Sequence, residues 1–417
     1  MTLSRLSRFP LVLAPIAALA LSGCAASSAA DTFAGAAATA PAQSFESWLA
    51  DFKAYARTQG VSSAVVERAF ADVQPLPQVV EANTSQPEFQ RPVWAYLEAA
   101  ASESRISRGR AHLTENANLL NAVSGQYGVP PEILVAIWGL ESDYGNNYGN
   151  LSVIDALATL AWQGDRADYA REQLLTVLRI LERGDIAPER MIGSWAGAMG
   201  QTQFIPTTFA SYAVDQDGDG RRDLWGSLAD VFASTANYLA VSGWQPGLAW
   251  GREVRLPSGF DYGQTEMSVT KPVGEWRRLG VEAVGGTLPP DAAEASVIAP
   301  AGHRGPAFLV TDNFRAILRY NNATSYALAV GHLSDRLAGA GPIRSSWPTG
   351  DQPLSRTDRM DLQRLLMARG YDPGGVDGVV GRMTRAAIRD FQRELGRPAD
   401  GYPTMELLNR LRQLGDA

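Results

Sequence analysis

Glu141 is the side chain whose surroundings best suit proton-transfer chemistry. It lies near the end of a run from Pro131 to Gly145 that reads Pro-Glu-Ile-Leu-Val-Ala-Ile-Trp-Gly-Leu-Glu-Ser-Asp-Tyr-Gly. Ile133, Ile137 and Leu140 make an apolar stripe at helix spacing, and Glu141 shares the face of Ile137 and Trp138. Pro131 suits a helix start, where its missing N–H has no partner to lose. Gly145 and the Asn-rich stretch after it are expected to end the helix. A carboxyl on an apolar, aromatic face is raised in pKa by desolvation, and the negative end of the helix dipole acts in the same direction. A Glu that keeps its proton near neutrality is what a general acid requires. The plainer alternative is a solvated Glu at a helix end. Asp143, two residues on, faces elsewhere, so no local carboxylate pair is evident; a distant partner such as Asp155 or Asp165 stays open.

Two further segments carry chemistry. Residues 193–209 read Gly-Ser-Trp-Ala-Gly-Ala-Met-Gly-Gln-Thr-Gln-Phe-Ile-Pro-Thr-Thr-Phe. Its small residues allow close backbone approach, and Ser194, Gln201, Thr202 and Gln203 offer hydrogen-bonding groups; a tightly packed turn is the alternative. Residues 215–223 follow the EF-hand pattern, with Asp215, Asp217 and Asp219 at positions one, three and five. Gly220 then permits the turn, the Arg221 carbonyl stands at seven and Asp223 at nine. Carboxylates crowded this closely repel one another without a cation, so a structural calcium is expected. Gly226 stands where the usual twelfth-position Glu would be. A solvated Asp/Gly turn is the alternative.

Helices must position these groups. Phe45, Trp48, Leu49, Phe52 and Tyr55 fall at helix spacing, and helical patterns recur at 168–181, 228–241, 313–318 and 325–337. Between about 250 and 310 the texture changes to short strands, expected at 253–256, 267–269 and 308–310. Residues 342–356 lack periodicity and are rich in Pro, Ser and Gly, which reads as an interdomain linker. Residues 357–414 form a separate small domain. The expected fold is mainly α with a small β subdomain (α+β), followed by a small three-helix unit.

The Trp138-Gly139-Leu140-Glu141 segment and the 193–209 segment together resemble the membrane-bound lytic transglycosylase B family. So do 211–215, Ala236-Asn237-Tyr238 and Arg319-Tyr320-Asn321-Asn322. The resemblance covers roughly Phe45 to Leu337 and implies a lysozyme-like catalytic core, with the catalytic domain expected over 44–341. It implies that Glu141 protonates the glycosidic oxygen between N-acetylmuramic acid and N-acetylglucosamine. Glu141 then serves as base for the muramyl C6 hydroxyl, which closes a 1,6-anhydro end without consuming water. The substrate supplies the nucleophile, so a second carboxylate is not needed; exo and endo action both stay open. Glycan contacts implied by the family fall on Ser194, Gln203, Tyr238, Tyr320, Asn321, Tyr96 and Arg166, and its loop suggests Asp230 as the remaining cation ligand. Residues 357–414, with Gly370-Tyr371, Val376-Asp377-Gly378 and Phe391-Gln392, resemble a small helical peptidoglycan-binding domain that holds the enzyme on its polymer.

The chain has 417 residues, 45% of them hydrophobic, 19% charged, with a formal net charge of -7. No basic run stands out, which argues against nucleic acid. The single cysteine excludes an intrachain disulfide. Arg5, Arg8 and the apolar stretch 9–21 read as a secretory signal ending at residue 23. Leu21-Ser22-Gly23-Cys24 resembles the bacterial lipobox, so Cys24 is the expected lipid-bearing residue, with 24–43 as a tether. Ala25 rather than Asp after it favours the outer membrane, facing the periplasm. No organic cofactor is expected. His112, His303 and His332 have no metal-ligand spacing, which weakens a zinc amidase. A lysozyme-type muramidase and a non-catalytic wall-binding lipoprotein are the competing readings. The expected partners are peptidoglycan glycan strands, the lipid anchor and cell-wall synthesis or division proteins.

Overall fold

The structure is a computed structural model that describes residues 43–84, 91–164 and 166–415. Cys24, the signal and most of the tether lie outside those residues. Among the described residues no helix is long and apolar enough to cross a membrane.

Helices make up most of the fold, and their starts follow local chemistry. Ser44, Ser62, Ser102 and Ser227 each accept a backbone N–H of the first turn that follows. One continuous apolar core runs from Phe45 to Leu337. At its centre lies the helix Pro131–Ser142, in which Leu134, Val135, Ala136 and Ile137 are wholly buried. It is buried almost all round, so it is an internal helix rather than an amphipathic one. The helices Glu103–Glu115, Leu228–Val241 and Thr324–Leu337 pack around it.

This central helix stops at Ser142, three residues before Gly145. Asp143 and Tyr144 both take left-handed backbone, with φ of 50° and 62°. Such conformations are strained for residues with a side chain and need support from the surroundings. Arg108 supplies it at Asp143, donating from Nη1 (2.9 Å) and Nη2 (2.7 Å) to the two carboxylate oxygens. Tyr144 is buried, and its hydroxyl donates to the Arg105 carbonyl at 2.8 Å.

The β subdomain is a five-stranded antiparallel sheet. Its spatial order is Lys271–Pro272, Glu294–Ile298, Ala307–Thr311, Gly251–Arg255 and Glu282–Ala283. Register is fixed by pairs such as Glu253 with Phe308 and Val297 with Leu309. Trp276 backs the sheet, fully buried, and its Nε1 donates to the Ala295 carbonyl at 2.9 Å. The strand expected at 267–269 is a turn: Val269 N bonds Glu266 O, and the Met267 carbonyl accepts from Ser296 and Arg315. The strand Glu294–Ile298 was not expected.

The small domain consists of the helices Arg356–Ala368, Arg382–Glu394 and Met405–Gly415 around Leu362, Leu366, Ile388, Phe391 and Leu408. Leu354 belongs to that cluster and Ser355 caps the first helix, so the folded unit reaches back into the span read as linker. The rest of that span is pinned. Glu253 accepts the backbone N–H of Arg344 (2.9 Å) and Ser345 (2.7 Å), and Trp347 packs against Trp94 and Phe308.

Candidate active site

The last turn of the central helix delivers Glu141 into a cleft of about 490 Å³. The opposite wall is aromatic: Phe204, Tyr238 and Tyr320 pack with centroids 5.0–5.7 Å apart, and the Tyr326 ring lies parallel to Tyr320 at 6.5 Å. The Tyr326 hydroxyl donates to Glu141 Oε1 at 2.5 Å. Tyr326 is 4% exposed, so the acceptor is held from the protein side and the rest of the carboxyl group is left to the cleft.

Burial raises the Glu141 pKa to about 7, and the bond from Tyr326 acts in the opposite direction. The phenols of Tyr320 and Tyr326 are pushed well up, first by burial and then by the Glu141 charge. Tyr96 is raised for the same two reasons, in the same order. Glu141 is the sole carboxylate among the described residues lining the cleft. Asp143 is committed to Arg108, and Asp155 accepts from Gln74 N at 3.2 Å, outside that lining. Asp165 lies outside the described residues.

Arg166, Gln203, Tyr238, Tyr320 and Asn321 line the cleft with Glu141. Gln203 sits at φ 52° and its amide donates to the Tyr148 and Gly200 carbonyls, which ties the loop down behind it. Tyr238 and Tyr320 donate to the Arg319 carbonyl (2.5 Å) and the Thr202 carbonyl (2.6 Å). Their hydroxyls therefore brace the wall; Tyr238 is buried, at 2% exposed, and Tyr320 only partly so, which leaves Tyr320 rather than Tyr238 to offer surface for a contact. Ser194 is not part of the lining; its hydroxyl accepts from Ala196 N and Ala198 N and shapes its own turn. Tyr96 also stands outside the lining, close enough to Glu141 to feel its charge.

Gln201 and Thr202, read from the sequence as free hydrogen-bonding groups, are instead buried. Gln201 accepts from Trp138 Nε1 and donates to the Trp225 carbonyl, both at 2.8 Å, and so locks the 193–209 segment to the central helix. The same segment is reached from Gly149, at φ +93°, where an added methyl would lie 2.0 Å from the Gly193 carbonyl oxygen. Only glycine fits there. Sequence reasoning missed Tyr326: it is one aromatic in an amphipathic helix, with no local signal of its role.

In the 215–230 loop, carboxylate oxygens of Asp215, Asp217 and Asp230 lie within 4.8 Å of one another. Asp230 is buried and accepts from Gln216 N and Asp223 N, both at 2.7 Å. Asp219 turns to Arg221 at 2.7 Å, and the Asp223 carboxylate caps the backbone at Trp225 and Gly226. Three converging hard oxygen donors on a turn fit a calcium-type ion.

Comparison with known proteins gives consistent findings. Residues 44–335 match the family model described as Transglycosylase SLT domain, and 355–411 match a peptidoglycan binding domain model. Membrane-bound lytic murein transglycosylase B of Escherichia coli K12 is 32% identical over 262 residues, 58% of this chain and 66% of that protein, just under two thirds of its length. SltB3 from Pseudomonas aeruginosa, solved with NAG-anhNAM-pentapeptide, is similar at 57% identity and TM-score 0.87, over 89% of this chain and 100% of that one. Escherichia coli Slt35, a lytic transglycosylase solved with calcium, is similar at 28% identity and TM-score 0.60, over 70% of this chain and 92% of that one.

Proposed function

This chain belongs to the transglycosylase SLT family of peptidoglycan-cleaving lytic transglycosylases, and on that premise we propose that Glu141 alone serves as acid and then base in an anhydro-forming cleavage. The observation that carries this reading is the half-buried carboxyl, raised to about 7, in a cleft whose described lining offers no other carboxylate. Glu141 gives its proton to the glycosidic oxygen as the muramyl C1–O bond breaks. The resulting carboxylate takes the proton of the C6 hydroxyl as that oxygen bonds to C1. The proton returns to Glu141, so the cycle closes without water. A pKa near the working pH suits a group that must both give and take a proton.

Gln203, Tyr320, Asn321 and Arg166 would contact the sugars, the Tyr320 ring offering a flat apolar face backed by the buried Tyr238. Asp215, Asp217 and Asp230 would hold a calcium ion that fixes the loop onto the helix Leu228–Val241. We also propose that Cys24 carries a lipid that keeps the enzyme at the inner face of the outer membrane. The membrane-bound name of the Escherichia coli relative supports this. The small domain would keep the enzyme on the wall, and cell-wall synthesis or division proteins would regulate it.

Mass spectrometry of muropeptides released from purified sacculi tests the chemistry. Anhydro ends from the native enzyme and none from Glu141→Gln are expected. Reducing ends instead would mean hydrolysis and overturn the proposal.

A further inference from the structure

A second cleft, of about 260 Å³, opens where the small domain meets the β subdomain. His303 and Arg304 line it from one side; Arg397, Asp400, Tyr402 and Glu406 line it from the other. Its base is a constructed junction. The buried Asp400 carboxylate accepts from His303 N (2.8 Å), Gln392 Nε2 (2.7 Å) and Tyr402 N (2.9 Å), and faces His303 Nδ1 at 2.6 Å. Nearby, Arg389 and Glu266 pair across the same interface at 2.7 Å.

The charges at the rim are only partly used. Arg397 gives Nη1 to Glu406 at 2.6 Å, and Arg304 pairs through Nη2 with Asp351. A guanidinium carries five N–H donors, so both side chains, which are exposed, retain donors for a ligand. The two clefts differ in kind. Around Glu141 the lining is mostly aromatic, aliphatic and amide, with one carboxyl and two arginines, of which Arg319 gives Nη1 to the Ser242 carbonyl. That suits an uncharged sugar chain. At the junction Asp400 and Glu406 are already engaged, and the spare donors of Arg304 and Arg397 remain, which suits a ligand carrying carboxylate groups.

We propose that the junction cleft binds the peptide part of peptidoglycan, with the glycan in the Glu141 cleft. This rests on the lytic transglycosylase reading. The site is composite: neither domain alone provides both walls.

The test uses the full chain. Isothermal titration with a sugar-free stem pentapeptide should show binding. The Arg304→Gln/Arg397→Gln double variant should weaken it about tenfold or more, the size of losing a charged hydrogen bond. Cleavage of peptide-free glycan strands should be unchanged. In parallel, a pentapeptide bearing a photo-crosslinker should label the segment around Tyr402 and Thr404 in the native protein, which does not depend on how the variant folds. Absence of peptide binding, equal affinity in the double variant, or labelling confined to the Glu141 cleft would overturn the proposal. Failure of the native enzyme to release anhydro products from sacculi would instead defeat the underlying reading, so the two failures are separable.

Discussion

Tyr326 donates to Glu141 across 2.5 Å, joining residues 185 positions apart in the chain. The bond is made to a carboxyl group that burial would otherwise leave protonated to still higher pH. It therefore sets how readily the carboxyl gives up its proton.

Tyr326→Phe removes the hydrogen bond that lowers the Glu141 pKa. The alkaline limb of the pH–rate profile, where the acid loses its proton, should move to higher pH. Turnover at neutral pH should drop about tenfold as the carboxyl loses a charged hydrogen bond that orients it. An unmoved limb would show that Tyr326 acts only by packing.

Glu141→Gln should abolish cleavage and also stabilise the fold in a pH-dependent way. The native pKa is raised above the unfolded one, so the contribution of the acid is fully present below about 4.5 and lost as pH rises through about 7. The variant, free of this loss, should gain over wild type by up to about 3 kcal/mol at pH 8 and little at pH 4. Thermal melts of both proteins across that range check the sign.

Calcium should raise the melting temperature, by about 2.7 kcal/mol of stability at a hundredfold excess over Kd. Asp230→Asn should remove most of that response. Burial raises the Asp230 pKa, so calcium should bind more weakly as pH falls and the carboxylate takes up a proton. Scanning fluorimetry with calcium and with chelator reads both effects; equal melting under the two conditions would leave the loop as a plain turn.

Gly149→Ala should be poorly folded or inactive although Gly149 is not part of the Glu141 cleft lining. The methyl would meet the Gly193 carbonyl oxygen at 2.0 Å, in a backbone conformation that alanine disfavours. Soluble yield and circular dichroism decide this; a stable, active variant would mean the 193–209 segment moves freely.

Much of the scaffold was legible because helices announce themselves. The stripe leading to Glu141, the Pro131 start and the helix Leu228–Val241 all follow from periodicity and end signals. The helix end was misjudged because Asp143 and Tyr144 adopt left-handed backbone without glycine. What supports them is Arg108 and Arg105, contacts between helices that local sequence does not contain. The same limit hid Tyr326. Gln201 was misjudged in another way: a polar side chain in a small-residue segment reads as a ligand contact, yet it satisfies Trp138 inside the core. Asp215 and Asp217 could be placed from pattern, whereas Asp219 turned away because Arg221 lies within reach of it.

The strap around Trp347 changes what the small domain can do. Two folded units on a slack cord would each explore their own orientations, and every productive encounter would have to select one of them. Here the cord is stitched down by Glu253, Trp94 and Phe308, so that selection is made once, during folding. If the small domain settles on a polymer strand, as proposed, the direction in which the Glu141 cleft faces that strand is already chosen.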